Sequence, residues 1–418
     1  MKKVVKFGGS SLANAEQFQK AGDIIRSDES RRYVVPSAPG KRFDEDIKVT
    51  DMLYGCYDAA SKGEDITEKL NAIKERYYEI IKGLGLSLSL EDEFKKIDED
   101  FRAQAGIQYA ASRGEFLNGK IMAAYLGYDF VDAATVIRFD KDGNLEAEET
   151  NKLLSKKLSK SQHAVIPGFY GATEEGRVVT FSRGGSDITG SIIAAGVKAD
   201  LYENFTDVDG IFAAHPGIIK QPHSIPELTY KEMRELAYAG FSVLHDEALV
   251  PAYRGKIPMV IKNTNNPKHP GTKIVLNHTD ENVKVVGIAG DSGFVSINTT
   301  KYLMNREVGF GRKLLQILED LNISWDHMPT GIDDLSVILR SKELTPIKEQ
   351  EILKHLIQDL QVDYAEIEHD LSIIMIVGEN MKNQIGVTAT ATKALSKNNI
   401  NIQMISQGSS EVSIMFVV

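Results

Sequence analysis

The chain has 418 residues, 42% of them apolar and 26% charged, with a formal net charge of −10. That length gives room for two or three domains of roughly 100–200 residues each, and the composition is that of an ordinary globular protein. The acidic balance contains no basic stripe of the kind nucleic acid requires, but it does not exclude anionic substrates, because local charge outweighs the total.

The first 11 residues, MKKVVKFGGSS, lack the roughly 7–15-residue apolar core of a secretory signal. No apolar stretch approaches the roughly 18–20 residues of a membrane span. A single cysteine, Cys56, rules out an intrachain disulfide. The expectation is a cytoplasmic protein with neither nucleic acid nor membrane as a partner.

Along the chain, Lys3–Phe7 is a β-rich run that stops at Gly8-Gly9. Residues 13–26 then place Phe18, Ala21, Ile24 and Ile25 on one helical side. Residues 33–35, Val131, and residues 163–166, 178–181, 199–202 and 258–261 read as further strands, with helical patterns at 115–126 and 187–195. Strands alternating with helices predict a mainly parallel sheet covered on both faces. Residues 64–111 are polar, charged and periodic, and read as two or three surface helices forming a lid or hairpin without chemistry.

A boundary is expected within 263–287, where NTNNPKHPGTKI is rich in turn-forming residues. Beyond it the pattern changes. Residues 293–298 read as a strand, 310–321 as an amphipathic helix, and 323–326 and 335–339 as strands. A similar series follows: strand 371–377, helix 387–397, then strands 400–405 and 412–418. Two such units in tandem are an internal repeat. The expected architecture is therefore an α/β domain over 1–280 followed by two ferredoxin-like βαββαβ units over 281–418. The first of these spans about 291–345 and the second about 363–418, the latter incomplete at its C-terminal end.

Three segments carry chemistry. Lys6-Phe7-Gly8-Gly9-Ser10-Ser11 puts a lysine at a strand end, glycines in the turn and hydroxyls at a helix mouth. In open α/β sheets ligands sit beyond the carboxyl ends of strands, and glycines at a helix N-terminus let backbone N–H groups approach an anion. A plain turn capped by serine would look the same. Phe181-Ser182-Arg183-Gly184-Gly185-Ser186-Asp187 repeats the logic. There Arg183 can grip a carboxylate with two hydrogen bonds, and Asp187 can orient Lys6 or begin the helix. Thr206-Asp207-Val208-Asp209-Gly210-Ile211-Phe212, closing near His215-Pro216, fits a nucleotide loop or an ordinary turn. The histidines are scattered and show no metal-ligand spacing, so no protein metal site is expected.

These segments, with PSAPGK at 36–41, RGE at 113–115, PGFYG at 167–171 and VLH at 243–245, resemble the aspartate kinases in order and spacing. The resemblance covers essentially the whole chain and extends to paired C-terminal ACT domains. It implies the amino-acid kinase fold, with ATP phosphorylating the side-chain carboxylate of L-aspartate as the first step of lysine, threonine and methionine biosynthesis. It also implies roles by position. Lys6 would stabilise the transferred phosphoryl group and Asp187 would hold that lysine. Glu115 would take the substrate ammonium and Arg183 a carboxylate, with Ser37, Phe169 and Ser186 beside them. Gly8, Gly9 and Ser10, with Thr206, Asp207, Phe212 and Pro216, would contact ATP. Mg²⁺ would be held mostly by the nucleotide.

Three places depart from the family pattern: Ser242 stands where a lysine usually precedes VLH, His215 where the loop usually has Asp, and Ala38-Pro39-Gly40 varies from the common form, with an unusually charged KRFDEDIKVTD after it. Lys41, Lys256 and Lys262 are candidates to replace the missing charge. At the C-terminal end the resemblance implies an amino-acid effector, lysine first and threonine next. Met304, Asn305, Gly309, Phe310 and Asp326 would contact it, 383–386 forms the equivalent loop, and a homodimer or homotetramer would form through the ACT domains. Two alternatives stay open: a kinase for another carboxylate such as glutamate, or a catalytically weak amino-acid-sensing subunit.

Overall fold

The computed structural model describes residues 1–182, 184–241, 244, 246–279, 285–408 and 412–418. The chain forms two compact units. One comprises Met1–Phe212, Lys220–Ala237 and Ser242–Thr279; the other comprises Ala213–Ile219, Tyr238–Phe241 and Asp280–Val418. Among the described residues no helix is long and apolar enough to cross a membrane.

The first unit opens with β1 (Lys3–Phe7), β2 (Arg31–Pro36), β3 (Asp129–Phe130) and β4 (Ala164–Val165). A hairpin of β5 (Tyr170–Ala172) and β6 (Val178–Thr180) follows, then β7 (Leu201–Thr206), the pair β8 (Ile211–Phe212) and β9 (Ser224–Ile225), β10 (Glu227–Thr229), β11 (Met259–Asn263) and β12 (Thr272–Val275). Eight of these form one sheet in the order β10-β12-β11-β7-β1-β2-β4-β3. Every pairing in it is parallel except β11 with β12. Val4, Val5 and Phe7 of the central strand are wholly buried, as a parallel strand covered on both faces requires. The strand expected at 178–181 lies outside this sheet. It pairs only with β5, antiparallel, because the short Tyr170–Ala172 run supplies its partner first.

The helices are α1 (Ala15–Arg26), α2 (Val49–Ser61), α3 (Thr67–Gly83), α4 (Glu91–Arg102), α5 (Ile107–Leu126), α6 (Ala147–Leu158), α7 (Gly185–Gly196), α8 (Tyr230–Tyr238) and α9 (Leu249–Gly255). α1 starts where Asn14 accepts the Gln17 N–H at 3.0 Å, a side-chain cap. The 64–111 segment is not a lid. Ile73, Tyr77 and Ile80 of α3 and Phe94, Ile97 and Phe101 of α4 enter the same core as Phe18 of α1 and Leu117 of α5. Apart from the buried Arg76, the abundant charge there occupies the outer faces, while apolar residues recur every three or four positions.

The second unit contains β13 (Gly287–Thr300), α10 (Phe310–Asp320), β14 (Asp334–Arg340), α11 (Pro346–Gln358), β15 (Tyr364–Val377), α12 (Val387–Lys397), β16 (Met404–Gln407) and β17 (Ser413–Val417). The strands form one antiparallel sheet, β14-β13-β15-β17-β16. The strand expected at 323–326 does not form; isolated bridges stand just beyond it, His327 with Ile338 and Thr330 with Leu335. α11 was not among the expected elements, although Thr345 caps it and Pro346 fills its first turn. β13 and β15 each run 14 residues. The upstream part of β13, residues 287–292, pairs with 372–377 and so adds a strand to the second repeat from before the first.

Across the first sheet, Arg31 of β2 reaches Glu203 of β7, with Nε–Oε2 at 2.6 Å and Nη2–Oε1 at 3.1 Å, and both side chains are buried. Removing one partner strands the other charge in a medium of low dielectric. Glu203→Ala should therefore lower unfolding free energy by roughly 3–5 kcal/mol in urea denaturation, whereas the apolar pair Arg31→Met/Glu203→Leu should recover most of it.

Candidate active site

Register places the candidate residues at one end of the main sheet. Phe7 of β1 lies level with Pro36 of β2 and Phe205 of β7, and Phe205 with Lys262 of β11. The loops that follow β1, β2, β7 and β11 therefore leave the sheet at the same level. The chain passes from β1 to β2 on one side and later returns to β7 on the other, which is the switch point where α/β sheets open a crevice.

Lys6, 7% exposed, projects from β1 toward α7. Its Nζ lies 2.6 Å from Asp187 Oδ1. Asn204 of β7, level with Lys6, donates through Nδ2 to the same Asp187 oxygen at 2.8 Å and accepts from Lys6 Nζ at 3.4 Å. Tyr202 holds the Asp187 carbonyl from below, hydroxyl to oxygen at 3.1 Å. The lysine is thus fixed by a carboxylate and an amide, each on a separate element. Gly8 turns directly after it, its N–H bound to Phe205 O at 3.0 Å.

The loop after β2 joins this pair to a second cluster. On one side Ser37 N–H donates to Phe7 O at 3.1 Å and Gly40 N–H to Gly9 O at 2.8 Å. A Cβ on Gly40 would stand 2.6 Å from the Gly9 carbonyl carbon, so the two backbones approach as only glycine allows. On the other side, Asn118 of α5 donates to Ser37 O at 2.6 Å. One turn earlier on α5, Glu115 receives the Ala38 N–H. Burial pushes the Glu115 carboxyl up to about 8, against smaller downward effects of backbone N–H groups and Arg113. Glu115 Oε2 and Asn118 Oδ1 are buried acceptors that no donor among the described residues reaches. Thr50, in the first turn of α2, stands nearby, its Oγ1 3.8 Å from where a Gly114 Cβ would be.

The second glycine turn packs against the 167–171 segment. Gly184 takes a left-handed conformation (φ 56°) and opens α7, with Asp187 in the first turn, where the helix dipole favours an acid. Ser186 is buried so tightly against Gly168 that a Cβ there would meet its Oγ at 2.5 Å. Phe169 has φ of +79°, a conformation side chains rarely adopt. Its N–H is held by Thr189 Oγ1 at 3.0 Å and its carbonyl by the Phe181 N–H at 3.0 Å. Arg183 lies outside the described residues, as do Ser242, Val243 and His245.

Of the expected nucleotide residues, Gly8, Gly9 and the exposed Ser10 follow β1, and Thr206 ends β7 one residue after Phe205. Asp207 is exposed, and its Oδ1 accepts the Thr206 hydroxyl at 3.2 Å. Phe212 lies in the β8–β9 pair, away from these contacts, with Ser224 as its partner. Pro216 belongs to the second unit.

The three candidate replacement lysines separate clearly. Lys262 alternates to the face opposite Lys6, with Nζ 5.9 Å from the Phe205 ring centre. Lys256 precedes β11 and so sits at the sheet's amino end. Only Lys41 follows the loop that touches Gly9, and its Nζ donates to Asp44 O at 2.8 Å.

In the second unit, a short 3-10 turn at Met304–Arg306 leads to Gly309, which caps α10 with φ of 81°. The matching turn Glu379–Asn383 leads to Gly386, which caps α12 with φ of 92°. Met304 and Phe310 point into the core, so their side chains do not face solvent at this loop. Asn305 N–H bonds Ile332 O at 3.2 Å. Asp326 Oδ1 accepts the Tyr238 hydroxyl.

Residues 1–263 match the model of the amino acid kinase family, and residues 374–418 match that of an ACT domain. Aspartokinase 3 of Bacillus subtilis (strain 168) is 47% identical over 428 residues, which span 99% of this chain and 94% of that protein. The chain belongs to the aspartate kinases. The crystal structure of Clostridium acetobutylicum aspartate kinase superposes with a TM-score of 0.92 at 44% identity, covering 100% of this kinase and 96% of that chain. Escherichia coli aspartokinase III in complex with aspartate and ADP superposes at 0.81, and in complex with lysine and aspartate at 0.77, each at 25% identity with 100% and 96% coverage.

Sequence reasoning missed Asn118, Asn204, Thr50 and Tyr202 in this kinase. Asn204 was the findable one: a polar residue inside the buried strand LYENFT has to answer something across the sheet. Asn204→Ala should lower kcat about 10–100-fold, the equivalent of roughly 1.5–3 kcal/mol for a hydrogen bond to a charged group, with KM for aspartate nearly unchanged. A rise in KM alone would place Asn204 in ground-state binding instead.

Glu115 sets a pH dependence. Its carboxyl is raised in the folded enzyme above the ordinary value of 4.5. Its favourable contribution is complete below 4.5 and is lost as pH rises toward 8, because the unfolded chain releases its proton first. The urea midpoint of the free enzyme should fall more steeply between pH 5 and 8 than that of Glu115→Gln; parallel curves would refute the assignment.

Proposed function

We propose that this kinase binds L-aspartate with its ammonium on Glu115 Oε2 and Asn118 Oδ1, and directs the side-chain carboxylate toward the γ-phosphate of ATP near Lys6. The observation that supports this reading is the pair of buried, unanswered acceptors on α5, tied through the 37–40 loop to the strand end that carries Lys6. An ammonium supplies the donors that both acceptors lack, and its charge favours the ionised form of Glu115.

Phosphoryl transfer needs in-line positioning and neutralised charge more than covalent help. The substrate carboxylate is already a nucleophile. Lys6 supplies positive charge to the moving phosphoryl group, Asp187 and Asn204 hold it in place, and the turn at Gly8 brings the backbone N–H groups of Gly9 and Ser10 to the phosphates. Arg183 takes a substrate carboxylate. Ser37, Phe169 and Ser186 wall the substrate, and Thr206 and Asp207 flank the nucleotide. Among the described residues no three His, Cys, Asp or Glu side chains gather to ligate a metal. Mg²⁺ would ride on the nucleotide phosphates, where it would neutralise their charge.

The loops at Gly309 and Gly386 would take an amino-acid effector through backbone groups, with the second oxygen of Asp326 available to a cationic group. Lysine is the first choice and threonine the second, a ranking supported by the lysine complex of the Escherichia coli relative. The nearly fully exposed Val308 and Ile385 beside these loops suit self-association of the second unit as a homodimer or homotetramer. The product, an acyl phosphate of aspartate, fits a cytoplasmic first step of lysine, threonine and methionine synthesis.

A coupled assay of ADP release tests the whole reading. Turnover is expected with aspartate and not glutamate, with inhibition by lysine, and Lys6→Ala should lose about 10²–10³-fold or more in kcat. Equal rates with glutamate would overturn the substrate, insensitivity to lysine the effector, and absence of any turnover the catalytic role of the chain.

A further inference from the structure

A second cavity of the kinase unit, about 400 Å³, lies on the far side of α5 from Glu115. Arg113 lines it, two residues before Glu115 and therefore on the opposite face of the helix. Its side chain is buried, with 7% of the residue exposed. The guanidinium donates to the neighbouring Ser112 Oγ, from Nε at 3.2 Å and Nη2 at 2.9 Å, and is hydrogen-bonded to the Tyr109 side chain. It stacks among three rings, 4.5 Å from Tyr109, 4.4 Å from Phe116 and 5.5 Å from Tyr170. Among the described residues it has no carboxylate within ion-pair distance, unlike Arg31 and Arg76, the other buried arginines.

Desolvating a guanidinium costs several kcal/mol, and aromatic faces return about 0.5–2 kcal/mol. A five-donor group met by two neutral hydroxyls among the described residues, set in a cavity, calls for an anion. The rest of the lining narrows its class. Lys120 is already paired with Glu93. Asp132 Oδ1 accepts the Tyr170 hydroxyl at 2.8 Å and the Ala134 N–H at 3.0 Å. Asp92, Glu93 and Asp132 match Lys96, Lys120 and Arg113 in number around the cavity, so the lining carries no surplus positive charge to offset a second negative charge on a ligand. Ile97, Phe116 and Val178 offer apolar wall. The planar fork of an arginine matches a carboxylate.

We propose that this cavity binds a small monocarboxylate with an apolar body, held by Arg113, at a site separate from that of the substrate. The test is ligand-observed saturation-transfer NMR on the full chain with benzoate as probe, aspartate being present in excess so that its own site is filled. Benzyl alcohol serves as the uncharged analogue and inorganic phosphate as a competing dianion. A saturable benzoate signal is expected, weakened at least tenfold in Arg113→Lys and lost in Arg113→Met, with no benzyl alcohol signal and no displacement by phosphate. Crystals of the unaltered chain soaked in benzoate should show its carboxylate against the guanidinium, which keeps the proposal testable should either variant fail to fold. An undiminished signal in Arg113→Lys, displacement by phosphate, or a soaked crystal with no benzoate at Arg113 would overturn it.

Discussion

The backbone of residues 37–40 is the constraint on which the catalytic unit depends. It is hydrogen-bonded to the β1 end through Phe7 and Gly9, and to α5 through Asn118 and Glu115. Lys6 and the Glu115–Asn118 pair cannot move apart while those bonds persist. Helix α3 closes the arrangement from outside: buried Arg76 donates to Gly40 O at 3.0 Å and pairs with Asp46 at 2.9 Å. A segment whose sequence suggests a solvated lid thus fixes the geometry of the phosphate turn. Precision in such a site comes from the groups behind it, since small displacements of reacting groups are costly.

The contact of Lys6 with Asp187 is better understood as placement than as stabilisation. Both side chains are largely buried, 9% and 15% exposed, and bringing two charges out of water cancels much of their attraction. What the pair gains is a fixed position for the positive charge, set by two elements and corrected by Asn204 from a third. Such preorganised charge needs no rearrangement when the phosphoryl group moves, which is where electrostatic catalysis obtains its effect.

This division explains what could be read from the residues alone. Lys6, Asp187 and the glycine turns were legible because strand, glycine, hydroxyl and helix follow one another within a few positions. Asn204 and Asn118 were not, because each works through a neighbour remote in sequence, and only the β1–β7 register or the face of α5 shows which. The same limit applied to the fold. The residues of α3 and α4 that enter the core are outnumbered by charged ones, and the helix at Pro346–Gln358 follows a Thr-Pro start that was passed over. β6 has strand composition, but composition does not say which sheet receives it.

In the second unit the doubled strands alter what regulation can mean. Two consecutive repeats could have closed as two separate small sheets. Instead β13 and β15 run through both repeats, with Gly287 level with Val377 at one end and Thr300 level with Tyr364 at the other. The loop capped by Gly309 follows the end of β13, and the loop capped by Gly386 follows the end of β15, so each hangs from a strand whose other half belongs to its counterpart. Packed sheets shift between discrete arrangements rather than bending gradually. A ligand taken at either loop must therefore act by reordering that loop or by moving the whole sheet as one body, and the two repeats cannot be set independently without breaking the ladder they share.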